Sequence, residues 1–597
     1  MYLSRIQLWN FRKYGAAGFD RTKPSLTVQF SPGVNVLIGP NDAGKTAIVD
    51  AIRIVLGTNS VEWARLASED FHTGAERLRI ELRFEGLTKP EGKNFTEWIE
   101  WVDTVDGPRS FLTVFCEVVQ KAGAVLPYDV RAGAGSEGHR LDAEAKELLR
   151  VTYLKPLRDA KSELVARRNS RLSQILLGHA AFKGQEKSHK LTTLFKAFNA
   201  QVGAYFSGED TDGEALSDQN GKILKAQIEA YLKSFTDQQT AVRIGVSEDD
   251  DLRQILATLG MSIADVVNPG LGSLNRMFMS AELVHVAKNE WTGLRLALIE
   301  ELEAHLHPQA QMKVIHGLQG NPDQQIILTT HSPNLASKVP LKSLILLNGT
   351  NAYPLGNAPD GSSYTGLDDD DQQFLEWFLD VTKSNLFFAK GLIMVEGWSE
   401  EILWPALASK MKQQRLISQD LTEAGVSVVN VGGTSQLRYA RIFLRAYGPQ
   451  IDVPVSVVTD VDMPVSRLQR LPTERAAKAV AAKAEKLRKK FDEQSVRAFV
   501  APEWTLEYCL HKSSSLSNSF KAAAIAVHPS LGKGDFESKL VQMLSKRRLS
   551  KVAIAARVAK TIMEDSHSPN PKLVLCETDV HIKYMLDSIK HAIGAEG

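Results

Sequence analysis

Two sets of residues in this 597-residue chain have the types and spacing to act on phosphates. The first is Gly39-Pro40-Asn41-Asp42-Ala43-Gly44-Lys45-Thr46. A glycine, four residues and then Gly-Lys-Thr, placed between an apolar run and a helical pattern, form a loop whose backbone N–H groups face phosphate oxygens. Lys45 is expected to contact the β/γ oxygens and Thr46 to ligate Mg²⁺. The second set is Glu396 and Glu400 after the apolar run Gly391–Val395, with Asp460 and Asp462 after Val455–Thr459. Carboxylates four apart at a helix start, and two apart at a strand end, are predicted to face one pocket. Such oxygen ligands suit Mg²⁺ or Mn²⁺, and two ions would activate water and stabilise the leaving oxygen in phosphodiester cleavage. Helix-start and turn roles explain any one of these acids, but not two clusters that each follow a strand.

The loop is followed, far along the chain, by residues that complete a nucleotide site. Leu296-Ala297-Leu298-Ile299 is predicted to be a buried strand delivering Glu300 towards the Mg²⁺ shell and Glu301 to orient the attacking water. Ile326-Ile327-Leu328-Thr329-Thr330-His331 is a second such strand, with His331 placed to touch the γ-phosphate. His305 and His307 suit an ATPase dimer contact better than zinc, since no further ligands lie near them. In this order the residues resemble the ABC-type ATPases of the SMC and recombination-mediator group. That resemblance implies heads that dimerise around ATP and a helical arm inserted within the head. Leu271-Gly272-Ser273-Leu274-Asn275 is the candidate signature loop, and Leu302 stands where a proline is common.

The carboxylate set resembles a Toprim domain, and the two sets together resemble the OLD (overcoming lysogeny defect) family of ATPase-nucleases over nearly the whole chain. The resemblance implies an ATP-binding, metal-dependent DNA endonuclease or nickase in antiviral defence or DNA processing, with Glu507 as a further metal ligand. It also implies a glycine turn at Val431-Gly432-Gly433-Thr434 and an essential lysine, for which Lys551 is the candidate. A non-cleaving ATP-dependent DNA-binding scaffold and a primase-like Toprim enzyme are the alternatives.

The elements that must position these residues divide the chain. The expected fold class is α/β: an ABC/SMC-like ATPase head (1–160 and 241–366), an inserted helical dimerisation element (161–240) and a Toprim α/β domain (367–597). Strand-like character is expected to return near Val242–Val246. Residues 348–366, rich in Asn, Gly, Pro and Ser, and the acid run Asp368–Asp371 read as a linker. The basic stretch Lys478–Lys490 could track a nucleic-acid backbone or form a solvated face.

Composition limits the rest. Three separated cysteines support neither a disulfide framework nor a zinc site and fit a reducing cytosol. The amino terminus alternates like a strand rather than a signal peptide, and no run approaches a membrane span. A net charge of +1 provides no general attraction for polyanions, so DNA contact must come from local basic patches. The expected partners are DNA and a second copy of the chain, in the cytoplasm. ATP and Mg²⁺ or Mn²⁺ are the expected cofactors, and whether a separate helicase accompanies the chain is left open.

Overall fold

The computed structural model describes the chain apart from residues 17, 59–64, 105–106, 134–136, 156–165, 167–169, 180, 183, 185–187, 211–212, 236–241, 243, 245–250, 284–292, 305, 320–323, 359–360, 434 and 596–597. His305, Thr434, the start of the helical segment and most of Val242–Val246 therefore lie outside the described residues. No described helix is long and apolar enough to cross a membrane.

Three sheets organise the described residues. An antiparallel sheet of eight strands is built around Tyr2–Trp9, Arg77–Glu85 and Gly107–Lys121. Arg77–Glu85 alternates buried and less buried residues, the period of a sheet with one face packed. The second sheet runs in the order Thr152–Leu154, Leu296–Ile299, Gln325–Thr329, Val34–Ile38, Leu344–Asn348 and Asn351–Pro354. Its first five strands are parallel and the last is antiparallel. Leu296–Ile299 and Gln325–Thr329 are buried at every position, as a parallel strand covered on both faces requires.

The third sheet, Val426–Asn430, Gly391–Val395, Val455–Thr459 and Val496–Val500, is wholly parallel. Parallel strands all end at one edge, so Glu396 and Asp460, which follow adjacent strands, are brought together there.

Helices Arg171–Gly178, Lys190–Ser207 and Asn220–Phe235 occupy the expected insertion. Helical structure then continues beyond residue 240, through Leu252–Ala257 to Leu271–Leu283. The ends of the helical region are joined by a buried bidentate ion pair in which Arg171 donates to both oxygens of Glu282.

The expected linker is instead an anchored joint. Asn351–Pro354 is the edge strand of the ATPase sheet, and Asp368 caps helix Asp369–Phe378 by accepting from the Asp371 amide. Asp371, only 3% exposed, is held by Arg441 at 2.6 Å and Arg438 at 3.2 Å. Composition pointed to a solvated acid run because it does not show that arginines about 70 residues later return to it. The Tyr353 hydroxyl donates to the Gln450 carbonyl (2.9 Å), Asn348 to the Asp452 carbonyl (3.1 Å) and Arg445 to the Pro354 carbonyl (2.6 Å). One hydrophobic core runs from Val36 and Leu328 through Leu346 and Tyr353 to Met394 and Val457, joining the two parallel sheets.

Removing Arg441 leaves the buried Asp371 carboxylate with Arg438 as its remaining cation. The partial exposure of Arg441 limits the cost to about 1–3 kcal/mol. Arg441→Ala is expected to lower the unfolding free energy read from urea titration by that amount, and Arg441→Ala combined with Asp371→Ala is expected to recover part of it.

Candidate active site

At the first site the loop Gly39–Gly44 joins strand Val34–Ile38 to helix Lys45–Leu56. Gly39 (φ 142°), Asp42 (φ 60°) and Gly44 (φ 95°) turn the chain sharply. A Cβ on Gly39 would lie 2.4 Å from the Leu347 carbonyl oxygen, and one on Gly44 2.1 Å from the Tyr14 hydroxyl, so both positions require glycine. Gly44 offers no side-chain cap, which leaves the first N–H groups of the helix for a phosphate. Ala43 is buried, whereas Asn41 and Asp42 are exposed. Lys45 is 4% exposed and donates to the carbonyls of Gly39 (2.8 Å) and Pro40 (2.9 Å). Burial lowers its pKa to about 8, against the pull of Glu303, Asp42 and Glu301.

Strand Gln325–Thr329 lies between the loop strand and Leu296–Ile299, so Glu300 stands two strand spacings from the loop strand, roughly 10 Å. Thr46 nevertheless lies near enough to Glu300 to lower its carboxyl pKa. The Tyr153 hydroxyl also donates to Glu300, at 2.6 Å, and the Arg53 guanidinium lies 3.7 Å from the Tyr153 ring centroid. Burial raises the Glu300 pKa, opposed by the Tyr153 hydrogen bond. Glu301 is exposed with a left-handed backbone (φ 47°), and its amide donates to the Thr329 carbonyl at 3.1 Å. His331 is exposed at the end of the middle strand. Partial desolvation of its ring and the nearby Lys45 charge lower its pKa.

Sequence reasoning missed Glu303 and Tyr153. Glu303 accepts from the Thr330 hydroxyl (2.9 Å) and the His331 amide (2.5 Å), fixing the turn that presents His331. Its place in Glu-Glu-Leu-Glu was visible, but spacing gave it no role. Tyr153 lies 147 residues from Glu300, and no local pattern pairs them.

The second site forms where the Toprim-like strands end. Glu396 follows Gly391–Val395 and accepts from the Thr459 hydroxyl (2.5 Å) and, at 3.4 Å, from the Asp460 amide. Glu400 lies in the first turn of helix Trp398–Gln413, where a Cβ on Gly397 would sit 3.4 Å from its Oε2. Burial, then Glu507 and Glu396, push the Glu400 carboxyl up to about 7. Burial also holds the Asp460 carboxyl well above the usual range, reinforced by Glu507, Glu400 and Glu396. Glu507, 3% exposed in the first turn of helix Leu506–Lys512, makes a 2.8 Å ion pair with Lys551. Lys551 opens helix Lys551–Ser566. Burial works against its charge, but Glu507, Asp460 and Glu400 together raise its pKa.

Four expected ligands and the candidate lysine thus act on one another. Asp462 does not follow the expected alternation. The strand ends at Thr459, and Asp462 is exposed with a left-handed backbone (φ 50°), its amide donating to the Trp504 carbonyl at 3.0 Å. Two acids after a strand need not share its faces, because the period of two ends with the strand. Tyr584 was also missed: its buried hydroxyl has no hydrogen-bond partner, and the charges of Asp460, Glu400 and Glu507 bear on it.

Among the described residues no three His, Cys, Asp or Glu side chains stand close enough to hold a metal ion as they are. The donor set still fits a hard divalent cation in type and charge. Glu396, Glu400, Asp460 and Glu507 are oxygen ligands gathered near a single lysine, an excess of negative charge that a cation would offset.

Family comparisons match both parts of the chain. Residues 5–243 match the AAA domain profile and 158–336 the AAA ATPase domain profile, while 387–462 match the "Overcoming lysogenization defect protein-like, TOPRIM domain". Among curated proteins the chain is similar to Endonuclease GajA of Bacillus cereus (strain HuB5-5), with 21% identity across 78% of this chain and 77% of that one. It is also similar to the OLD nuclease of Thermus scotoductus, with 24% identity across 77% and 82%. Among solved structures, the C-terminal region of the Xanthomonas campestris pv. campestris OLD protein aligns at 22% identity with a TM-score of 0.22, covering 36% of this chain and 97% of that one. Fold and sites define an ABC/SMC-type ATPase head joined to a Toprim domain. The chain is similar to the OLD family, through its Toprim match and through the OLD nuclease of Thermus scotoductus.

The raised carboxyls set the pH response of the metal-free protein. Glu400 has a folded pKa above its unfolded value, so between about pH 4.5 and 7 the folded state holds the proton more tightly, and stability falls as pH rises through that window. The loss from Glu400 is at most about 3 kcal/mol. In EDTA, Glu400→Gln is expected to melt higher than the parent at pH 8 and alongside it at pH 4.5. Mg²⁺ or Mn²⁺ is expected to narrow the gap at pH 8.

Proposed function

We propose that this chain is an ATP-binding, divalent-metal-dependent DNA endonuclease or nickase whose ATPase regulates phosphodiester hydrolysis at the Toprim site. The observation that carries the reading is the group of mutually repelling carboxylates Glu396, Glu400, Asp460 and Glu507 around Lys551. It lies on the same chain as a loop preorganised for phosphates. The relatives named for nuclease activity, similar across more than three quarters of this chain, support the same class of reaction.

At the ATPase site, the loop amides and Lys45 bind the phosphates. An incoming γ-phosphate replaces the carbonyls of Gly39 and Pro40 as partners of the Lys45 ammonium. Thr46 and Glu300, which lie near each other, would hold Mg²⁺. Glu301 orients the attacking water, and His331, fixed by Glu303, contacts the γ-phosphate.

At the Toprim site, Glu396, Glu400, Asp460 and Glu507 would hold Mg²⁺ or Mn²⁺, with Asp462 at the rim. Bound there, two ions supply an activated water and stabilise the leaving oxygen. Lys551 stabilises the charge that develops on the phosphate. The resemblance supports a role in antiviral defence or DNA processing. The chain acts as a homodimer or higher homo-oligomer through its ATPase and helical element. Leu194, Phe198, Ile223, Leu224 and Ile228 are large apolar residues left exposed on two adjoining helices, an arrangement that favours burial against a second copy.

Glu396→Ala and Asp460→Ala are each expected to lower plasmid nicking with Mg²⁺ or Mn²⁺ by at least about a hundredfold while ATP binding persists. Nicking that survives both would overturn the assignment. Lys45→Ala is expected to abolish ATP binding and to make nicking insensitive to ATP. Leu194→Glu with Phe198→Glu is expected to reduce the mass measured by light scattering.

A further inference from the structure

Two strongly basic segments flank the Toprim sheet, and topology places them at opposite ends of it. The first is the carboxyl-terminal part of helix Thr473–Phe491, with Lys486, Arg488, Lys489 and Lys490 exposed. This helix connects two adjacent parallel strands, Val455–Thr459 and Val496–Val500, so it runs antiparallel to them. Its beginning is near the carboxylate edge and its Lys-rich end near the strand starts. The neighbouring bonds agree: Gln494 donates to the Arg445 carbonyl (2.8 Å), and Arg445 reaches the ATPase edge strand at Pro354 (2.6 Å). A five-residue strand spans about 17 Å, which separates this basic end from Glu396 and Asp460. Lys489 is also paired with Glu485 at 3.5 Å, and Lys490 lies over the Phe491 ring.

The second segment is Lys546-Arg547-Arg548, in the turn between helices Phe536–Ser545 and Lys551–Ser566. All three side chains are exposed, and none makes an ion pair with a carboxylate among the described residues. The turn is fixed before any ligand arrives. Arg547 has a left-handed backbone (φ 52°), its amide and that of Arg548 donate to the carbonyls of Leu544 (3.0 Å) and Met543 (2.9 Å), and Leu549 is buried. The Ser550 amide donates to His528 Nε2 at 3.0 Å. Arg548 is three residues from Lys551 and Lys546 five, so their Cα atoms lie within about 11 and 18 Å of it. Lys551 itself is 2.8 Å from Glu507 of the carboxylate cluster.

We propose that Lys546, Arg547 and Arg548 form the DNA-backbone contact of the Toprim site, holding the phosphates next to the one presented to Lys551, and that the Lys-rich end of helix Thr473–Phe491 does not. The proposal rests on the nuclease reading and gives its substrate a direction of approach. Three unpaired cations on a preformed turn match the charge of a phosphate backbone, and release of counterions from that backbone supplies the binding energy. The chain's overall charge of +1 means that this local patch, rather than the whole molecule, must attract the polyanion.

The test compares two triple variants of the full-length protein for binding to fluorescent duplex DNA in EDTA, across a salt series. Lys546→Gln/Arg547→Gln/Arg548→Gln is expected to weaken binding about ten- to thirtyfold at moderate salt and to reduce the slope of log affinity against log salt by roughly 2 to 3. Arg488→Gln/Lys489→Gln/Lys490→Gln is expected to bind and nick as the parent does. Unchanged melting temperatures show that both variants fold. Full binding by the first variant, or an equal loss in the second, overturns the proposal, as does a parent protein that binds no DNA. A parent that binds through Lys546–Arg548 but cuts nothing with Mg²⁺ or Mn²⁺ overturns the nuclease reading and leaves the DNA contact standing.

Discussion

Repulsion between buried like charges is the constraint on which the Toprim half depends. Glu400 and Asp460 are held above the usual carboxylate range first by burial and then by the charges of Glu507 and Glu396, with Lys551 opposing them. A protein optimised for stability alone would replace such a group with apolar side chains. Its surroundings instead keep the acids in place: the hydroxyl of Thr459 on Glu396, the bare α-carbon of Gly397 beside Glu400, and the ion pair between Glu507 and Lys551. Helices Trp398–Gln413 and Lys551–Ser566, which carry Glu400 and Lys551, are clamped at their far ends by buried Lys410 and Asp565 at 2.6 Å. The tension is local and the frame around it is stiff.

The ATPase site meets a related problem differently. Lys45 is buried without a nearby carboxylate bonded to it, and two backbone carbonyls occupy its donors until a phosphate takes their place. The cost of desolvation is expressed in a lowered lysine pKa rather than in raised acid pKa values. One site therefore lacks negative charge and the other lacks positive charge. A nucleotide and a divalent cation are the ligands that correct each imbalance.

Much of this was legible in the sequence because the signals are local. Gly39 to Thr46 dictate a turn that only glycines at its ends permit, and the apolar runs before Glu300, Glu396 and Asp460 announce strands whose ends present acids. What sequence could not supply was contact between distant residues. Tyr153 meets Glu300, and Arg441 meets Asp371, across long loops that periodicity does not span. The acid run Asp368–Asp371 therefore read as solvated although it is a structural anchor. Asp462 failed for another reason: alternation was extended one residue pair beyond the end of its strand.

The core that passes from Val36 and Leu346 through Tyr353 to Met394 and Val457 has a consequence for how the chain is divided into parts. Sequence families separate it into an ATPase and a Toprim module, matched by different profiles. The packing divides it less sharply: each half has a core of its own, but a third core takes residues from both parallel sheets, unlike the polar, loosely held interface usual between neighbouring domains. The joint between the two halves is therefore part of a core and not a tether, and a change in one half can strain the other through it.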